Sequence, residues 1–233
     1  FLIFSNLSIS NNIITTSGGD GWGIYQLSSN NSNIANNKII TFGRDGYGIY
    51  LYGSNNSSIA NNNITTSNQD GRGVYLSASS TNTLSNNTLI TSGISGYGAI
   101  LSLSSNSNNL TDNIITTTNT SAYGIYLSSS SNNSITNGSI IATQSAAYYL
   151  ESADTTNNFK ATNFTASRNI TFADNTSWFN YKNETNSNIS LKTNVLTATD
   201  INRTLANWNK TQIKWNDTNN AAEITANYTL TGL

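Results

Sequence analysis

One six-residue phrase returns at a fixed interval through more than half of this chain. Its copies begin at positions 20, 45, 70, 95 and 121, so the period is 25 residues with one extra residue, which we place near Ser107. The copies read Asp20-Gly-Trp-Gly-Ile-Tyr25, Asp45-Gly-Tyr-Gly-Ile-Tyr50, Asp70-Gly-Arg-Gly-Val-Tyr75, Ser95-Gly-Tyr-Gly-Ala-Ile100 and Ser121-Ala-Tyr-Gly-Ile-Tyr126. A unit this short cannot bury an apolar face by itself, so the copies must stack on one another.

Each unit contains three short β-like segments that are separated by Ser, Asn and Gly turns. Aliphatic residues recur in register in four columns: Ile24/Ile49/Val74/Ala99/Ile125, Leu51/Leu76/Leu101/Leu127, Ile34/Ile59/Leu84/Leu110/Ile135 and Ile39/Ile64/Leu89/Ile115/Ile140. Four such columns on three sides of a coil predict an all-β chain, a parallel β-helix whose coils lie about 4.8 Å apart. One layer of the core then comes from each coil.

Asparagine pairs mark one turn in every coil. They are Asn36-Asn37, Asn61-Asn62, Asn86-Asn87, Asp112-Asn113 and Asn137-Gly138. Asn tolerates left-handed backbone and can hydrogen-bond to the next coil, so identical turns are expected to form a ladder.

The two ends of the chain depart from the repeat. Ile9 and Ile14 fit the columns of an earlier coil, but the apolar start Phe1–Phe4 has no capping element before it, so either a natural cap has been removed or another subunit supplies one. Because the sequence has no initiator Met and no signal peptide, we interpret the chain as a processed or trimmed piece of a longer protein. After position 145 the coils shorten, and from about Ser177 apolar and polar residues alternate. We therefore predict a β-helix over 1–176 and, over 177–233, a small antiparallel β unit that is a cap or the start of a β-sandwich.

Composition excludes several classes of function. The 233 residues include no Cys, His, Met or Pro, which removes disulfides, thiolate or imidazole metal sites and every nucleophile–histidine pair. With a net charge of −1, the chain lacks the excess of basic residues that nucleic-acid binding requires. No apolar run in the sequence approaches the length of a membrane span. No cofactor is predicted.

The repeat resembles a known group. The phrases Gly-Tyr-Gly-Ile-Tyr-Leu, Ser-Asn-Asn-Ser-x-Ile and Asn-Asn-x-Ile are similar to the right-handed parallel β-helix repeats of NosD-like proteins of archaeal and bacterial cell surfaces, over residues 1 to about 170. The resemblance implies a right-handed β-helix. The group includes carbohydrate-active enzymes, surface proteins and a factor of copper-site assembly, and the copper role implies soft or imidazole ligands that this chain lacks.

Three carboxylates are the sharpest candidates for chemistry. Asp20, Asp45 and Asp70 recur at one place in successive coils, so they would repel one another or collect a hard cation such as calcium, with Arg44 and Arg72 beside them as counter-charges. Asp before Gly is also an ordinary turn residue, and Ser95 and Ser121 fill the same place without a charge. Among sugar-active β-helices, only the pattern of pectate-lyase-like enzymes, calcium-binding Asp beside a catalytic Arg, could be met here. Because His and a second acidic cluster are absent, we predict that the chain is not an enzyme.

Aromatic residues form a second candidate surface. If Ile24 and its equivalents point inward, the following residues Tyr25, Tyr50, Tyr75, Ile100 and Tyr126 point outward. A neighbouring column, Trp22/Tyr47/Arg72/Tyr97/Tyr123, has no predictable orientation because Gly interrupts the strand. The Tyr column could bind surface glycans, contact another protein or stack only on itself.

Threonine and isoleucine dominate another face. The residues Thr15/Ile40/Thr65/Ile90/Thr116/Ile141 are expected to point outward, beside a ladder of Thr16/Thr41/Thr66/Thr91/Thr117. A flat strip of this kind could join β-helices laterally, although β propensity alone would also select these residues.

Glycosylation acceptors are enriched beyond position 160. The Asn-x-Ser/Thr sites there are Asn163, Asn169, Asn175, Asn183, Asn188, Asn202, Asn209, Asn216 and Asn227. Such acceptors imply an exported, exposed surface.

These features predict an extracellular, N-glycosylated structural protein that self-assembles with identical subunits. It would be a building block of a cell-surface filament, a surface layer or an adhesin. The alternative is a carbohydrate-binding or polysaccharide-degrading β-helix module that uses the Tyr column and Asp45, Asp70 and Arg72.

Overall fold

A computed structural model describes residues 6–152 and 156–159 of the chain with their side chains. Beyond these it describes the backbone of strand residues 160, 163–172, 178–183, 187–193, 199–201 and 222–228. All regular secondary structure in this described part is β-strand, and the strands wind into a parallel β-helix of three faces.

The strands of each face recur once per coil. The first face contains Ile24–Leu27, Ile49–Tyr52, Val74–Ser77, Ala99–Ser102, Ile125–Ser128 and the end of the long strand Ser139–Glu151. The second face contains Ser8–Ser10, Asn33–Ala35, Ser58–Ala60, Thr83–Ser85, Asn109–Thr111, Ser134–Thr136 and Asn158–Lys160. The third face contains Ile13–Thr16, Lys38–Thr41, Asn63–Thr66, Thr88–Thr91, Ile114–Thr117, the start of Ser139–Glu151 and Asn163–Phe172.

Strand pairing follows the period of the sequence. Ile24 pairs with Ile49 and Tyr25 with Tyr50, so equivalent side chains stack directly above one another. The extra residue lies earlier than we predicted, because Ser77 pairs with Ser102 whereas the Ser79 N–H bonds to the side chain of Ser105. Between these positions Leu103 and Ser104 both take left-handed φ angles, of 53° and 64°, and make a wider turn.

The core is the stack of aliphatic columns. Residues Ile49, Leu76 and Ile135 are 0–3% exposed, which confirms the predicted inward direction of the columns. One coil departs from the pattern, since Gln26 stands where the other coils have Leu51, Leu76, Leu101 and Leu127. Gln26 is fully buried, and neither its Nε2 nor its Oε1 has a hydrogen-bond partner.

Buried amide side chains tie successive coils together. Asn37 donates from Nδ2 to Asn62 Oδ1, and Asn62 donates in the same way to Asn87 Oδ1, each over 3.0 Å. The preceding residues, including Asn36 and Asn61, take the left-handed conformation with φ of 57° and 55°. The predicted Asn ladder is therefore present, and it stops at Asn113 because the next coil has Gly138 at this place.

Two further ladders were not predicted. Asn108 donates to Asn133 Oδ1 at 3.1 Å, and Asn133 to Asn157 Oδ1 at 3.1 Å. A serine ladder runs beside them, in which the backbone N–H of one coil bonds to the next hydroxyl, as from Ser54 to Ser79 at 3.0 Å. Their signal in the sequence is recurrence at the repeat period, as in Ser29/Ser54/Ser79/Ser105/Ser130 and Asn82/Asn108/Asn133/Asn157, which the abundance of Ser and Asn obscures.

The later strands change from parallel to antiparallel pairing. Tyr148 and Leu150 pair in parallel with Ile170 and Phe172, so the shortened coils continue the β-helix. Trp178–Asn183 then pairs antiparallel with Ser187–Thr193, which pairs antiparallel with Ala222–Tyr228, and Thr199–Ile201 pairs antiparallel with Asn163–Phe172. The antiparallel strands agree with the alternation seen after Ser177, and the domain boundary at 176 stays a prediction.

Candidate functional site

Two adjacent columns of aromatic side chains cover the first face. We call Tyr25, Tyr50, Tyr75, Ile100, Tyr126 and Tyr149 the inner column, and Trp22, Tyr47, Arg72, Tyr97 and Tyr123 the outer column. Together they form the aromatic ladder. The aromatic members are partly exposed, and they are the largest set of rings on one face in the described part of the chain.

The rings of the inner column stack on each other. Ring centroids lie 5.1 Å apart between Tyr25 and Tyr50 and 4.8 Å apart between Tyr50 and Tyr75, with interplanar angles of 28° and 11°. This spacing follows from the distance between paired strands. Because the rings use their faces on one another, they present mainly ring edges and hydroxyl groups outward.

The outer column packs across the inner one. Trp22 meets Tyr25 edge-on at 4.7 Å, and Tyr47 meets Tyr50 edge-on at 5.5 Å. Edge-to-face packing of this kind is worth about 0.5–1.5 kcal/mol per pair beyond the buried area. The structure thus fixes the orientation of the outer column, which the sequence could not.

A glycine between the two columns allows this arrangement. At Gly48, a Cβ atom would lie 2.1 Å from Ile64 Cγ2 and 2.6 Å from the Gly73 carbonyl oxygen. The backbone of one coil therefore approaches the next too closely for any side chain. The second Gly of the repeated phrase is a packing requirement that sets the two columns side by side.

One inner position differs from its neighbours. Ile100 was expected to point outward with the tyrosines, yet it is only 3% exposed. It pairs directly with Tyr75 on one side and Tyr126 on the other. The shorter Ile side chain is buried between its larger neighbours Tyr75 and Tyr126, so the exposed Tyr column is interrupted at this coil.

The tyrosine hydroxyls stay protonated over the ordinary pH range. Burial raises the pKa of Tyr50 to about 12, and burial also raises the pKa of Tyr47, Tyr97 and Tyr126. The bond that the Tyr126 hydroxyl donates to Glu151 raises the pKa of Tyr126 further. These groups can donate hydrogen bonds to a ligand, but they cannot act as general bases at neutral pH.

Arg72 is the cation of the aromatic ladder. Its Cζ lies 4.8 Å from the ring centroid of Tyr47, 5.3 Å from that of Tyr75 and 5.8 Å from that of Tyr97. Its Nη1 donates to the Tyr47 hydroxyl at 2.7 Å. Arg72 therefore contacts rings rather than serving as the counter-charge that we predicted for the aspartates.

The predicted calcium ligands occupy tight turns. The Asp45 N–H donates to the Gly19 carbonyl at 2.9 Å, and Asp70 takes a left-handed φ of 55°, as Ser95 does with 54°. Within residues 6–152 and 156–159, no three acidic, His or Cys side chains come close enough together to hold a metal ion. Asp20, Asp45 and Asp70 act as turn residues in this geometry, which gives the predicted calcium ladder no support.

The glycosylation candidates lie outside the residues whose side chains are described. Of these, Asn163, Asn169, Asn183, Asn188 and Asn227 lie within strands, and the backbone register pairs Asn188 with Asn227. Asn175, Asn202, Asn209 and Asn216 fall outside the described residues altogether. Glycosylation at all nine positions stays a prediction.

The third face is split between an outward and an inward column. Thr15, Ile40, Thr65, Ile90, Thr116 and Ile141 are partly or fully exposed as expected, and Ile90 is 38% exposed. The neighbouring threonines from Thr41 to Thr117 are buried, however. Thr41 and Thr66 donate across the turn to the carbonyls of Gly46 and Gly71, with their side chains inward, so this adjacent ladder does not contribute to an exposed strip as predicted.

The family comparison agrees with the repeat. Residues 1–95 match the family described as periplasmic copper-binding protein (NosD). Over these residues the chain is similar to the NosD family, and its fold is a parallel β-helix. A periplasmic family is in keeping with a location outside the cytoplasm. The copper in the family description does not fit this NosD-like chain, whose 233 residues contain no His, Cys or Met to ligate it.

Two solved structures have a similar fold. The A-module of mannuronan C-5 epimerase AlgE4 from Azotobacter vinelandii is 16% identical, with a TM-score of 0.46 over 71% of this chain and 55% of that one. The catalytic unit of a thermostable α-1,3-glucanase from Streptomyces thermodiastaticus is 13% identical, with a TM-score of 0.43 over 78% of this chain and 49% of that one. The chain thus spans about half the length of each structure. No curated protein matches it.

These structures correct one prediction. Both proteins are enzymes, an epimerase and a glucanase, so the prediction that the chain is not an enzyme is contradicted. At such low identity the likeness extends to the fold alone, and their substrates are properties of those proteins.

No helix in the described residues is long and apolar enough to cross a membrane.

Proposed function

We propose that this NosD-like chain is a carbohydrate-binding β-helix module that works outside the cytoplasm, with the aromatic ladder as its binding surface. The observation that carries the proposal is the ladder itself, two columns of partly exposed aromatic residues that repeat coil after coil on one face. Aromatic side chains offer large, rigid contact area at low cost in conformational entropy, and the tyrosine hydroxyls add hydrogen-bond donors.

The repeat distance of the ladder suits a polymer. Successive inner rings lie 4.8–5.1 Å apart along the axis of the β-helix. This distance is of the same order as the rise of one sugar unit along an extended polysaccharide. A glycan that lies parallel to the axis would meet equivalent inner ring edges and hydroxyls at Tyr25, Tyr50 and Tyr75, before the interruption at Ile100.

Protonated hydroxyls favour binding by hydrogen bonds. Because burial raises the pKa of Tyr47 and Tyr97 above the ordinary value of 10.0, these groups are hydrogen-bond donors at neutral pH. Sugar hydroxyls accept such bonds, and the ring edges cover the apolar C–H groups of the sugar.

Affinity electrophoresis through gels that contain soluble neutral or acidic polysaccharides tests the proposal. The wild type should be retarded by at least one polysaccharide, and Tyr50→Ala should bind about tenfold more weakly. Phe42→Ala is the matched control, because it removes an exposed ring that lies outside the ladder. The proposal would be contradicted if no polysaccharide changed the mobility of the wild type, or if Tyr50→Ala were retarded as much as the wild type. The same mixtures are analysed for cleavage products, which would show turnover.

A second candidate function is lateral assembly, which agrees with the predicted structural role in a filament, surface layer or adhesin. The observation that favours it is the exposure of Ile90, Ile114 and Ile141 on the third face, at 38%, 50% and 37%. Exposed aliphatic side chains on a flat sheet favour contact with another apolar surface. Sedimentation velocity over a range of concentrations should show association of wild type, reduced in Ile90→Lys. Thr65→Lys adds the same charge to the same column and separates an apolar contact from a charge effect.

A further inference from the structure

Arg72 is the exception in an otherwise aromatic column. Coils before and after it have Tyr47 and Tyr97 at the same place, and the guanidinium lies within 6 Å of both rings and of Tyr75. A cation between aromatic rings is stabilised by their quadrupoles. The rings hold the guanidinium at a fixed place on the partly exposed face.

The guanidinium has few polar partners for its charge. An arginine carries five N–H donors, and the hydrogen bond formed here is that from Nη1 to the Tyr47 hydroxyl. Nε is buried and has no hydrogen-bond partner. Among the described residues no carboxylate forms an ion pair with Arg72. A positive charge is thus presented on the partly exposed face without an ion-paired carboxylate.

We infer that Arg72 forms a subsite for the carboxylate of an acidic sugar in a polysaccharide bound along the aromatic ladder, an inference that rests on the proposed function. The planar fork of a guanidinium matches a carboxylate through two parallel hydrogen bonds, which a single point charge cannot do. The terminal nitrogens are the groups that would meet the ligand, because Nε is covered.

Neighbouring carboxylates limit where the acidic sugar can bind. Burial is the main cause of the raised pKa of Tyr47, Arg72 lowers this pKa, and the nearby carboxylates of Asp45 and Asp70 raise it. Because both signs of charge lie near this coil, the acidic sugar is held by direct hydrogen bonds and not by a broad positive field. At the far end of the ladder the Glu151 carboxylate accepts from Tyr126. A second anion would be repelled there, which confines the subsite to the coil of Arg72.

Isothermal titration calorimetry with three sets of oligosaccharides tests the inference: neutral, uronate-containing and sulfated. Arg72→Tyr restores the residue of the neighbouring coils and should keep the ladder folded, as checked by circular dichroism. Arg72→Lys keeps the positive charge but removes the planar guanidinium that can form two parallel hydrogen bonds to a carboxylate. Arg44→Gln removes an exposed arginine outside the ladder, so it controls for net charge.

The expected result is that wild type binds the uronate set, that Arg72→Tyr binds it about tenfold to a hundredfold more weakly, and that Arg72→Lys is intermediate. Arg44→Gln should match wild type, and binding of neutral chains should survive in Arg72→Tyr. Wild-type affinity for the uronate set should also fall as salt is raised, a readout that needs no variant.

The outcomes separate this inference from the proposed function. Equal uronate binding by wild type and Arg72→Tyr, or preference for sulfated over uronate chains, would overturn the carboxylate subsite. So would a wild type that binds neutral chains but no uronate chain, and this result would leave the proposed function standing. A wild type that binds no oligosaccharide of any set would reject both.

Discussion

Asn62 offers the sharpest test of how the coils are held together. Its side chain is 1% exposed and forms four hydrogen bonds. Its Oδ1 accepts from the backbone N–H and the Nδ2 of Asn37, each at 3.0 Å. Its Nδ2 donates to the Ile34 carbonyl at 2.9 Å and to Asn87 Oδ1 at 3.0 Å.

The substitution Asn62→Ala leaves the buried Asn37 N–H without its acceptor. The Ile34 carbonyl loses one donor but stays in the parallel pairing with the next coil, Asn37 Nδ2 keeps the Ile9 carbonyl, and Asn87 Oδ1 keeps the Asn62 N–H. The unsatisfied N–H costs about 1–3 kcal/mol and each other lost hydrogen bond about 0.5–1.5 kcal/mol, so the free energy of unfolding should fall by about 3 kcal/mol. With a urea m-value of about 3 kcal/mol/M, the midpoint should fall by about 1 M.

Urea unfolding followed by circular dichroism measures this midpoint. Asn63→Ala is the control, because the same chemical change one residue later removes an exposed side chain and should alter stability by less than about 0.5 kcal/mol. If the midpoints of Asn62→Ala and Asn63→Ala agree within error, the amide ladder contributes no net stability and our account of the stacking is wrong.

Three further predictions concern other columns. Gly73→Ala should lower the free energy of unfolding in urea by about 2 kcal/mol, because its Cβ would lie 2.4 Å from the Gly98 carbonyl oxygen. The control Gly18→Ala should leave this free energy unchanged, because a Cβ at Gly18 meets no atom within 4 Å. Gln26→Leu should raise the thermal midpoint through a gain of about 1–3 kcal/mol, since it removes a buried amide without partners; a lower midpoint would contradict this. Burial raises the pKa of Tyr50 from 10.0 to about 12, so its contribution to stability is complete below pH 10 and lost as pH rises through 12. Tyr50→Phe should flatten this alkaline loss in unfolding curves, and an unchanged slope would count against the assignment.

The coils were predictable because each depends on a column of like residues. Ile49 and Leu76 stand in aliphatic columns that any solenoid must bury, and Asn61 takes a left-handed conformation that Asn tolerates well. Because the same pattern recurs in every coil, one exceptional residue such as Gln26 does not hide it, and the inward direction of each aliphatic column could be predicted from the sequence.

The candidate site was less predictable, because it depends on side chains at the ends of strands. Alternation predicts the direction of Tyr50 inside a strand, but it gives no direction for Tyr47, which lies before a Gly that must touch the next coil. Thr41 differs, because it lies two residues after the inward Ile39, so alternation does give its inward direction, and its hydroxyl donates to the Gly46 carbonyl across a turn. The orientation of Tyr47 is set by a contact between a turn and the next coil, which alternation does not record.

The chemistry of stacking explains why the ladder holds a single cation. In a parallel β-helix every side chain has an equivalent neighbour about 4.8 Å away, which favours amides and aromatic rings but makes repeated like charges repel. A cation is tolerated when the coils on both sides provide rings, as Tyr47 and Tyr97 do for Arg72. A charge placed in this way is unique along the column, so it can fix the register of a repetitive ligand that the rest of the ladder would bind at any coil.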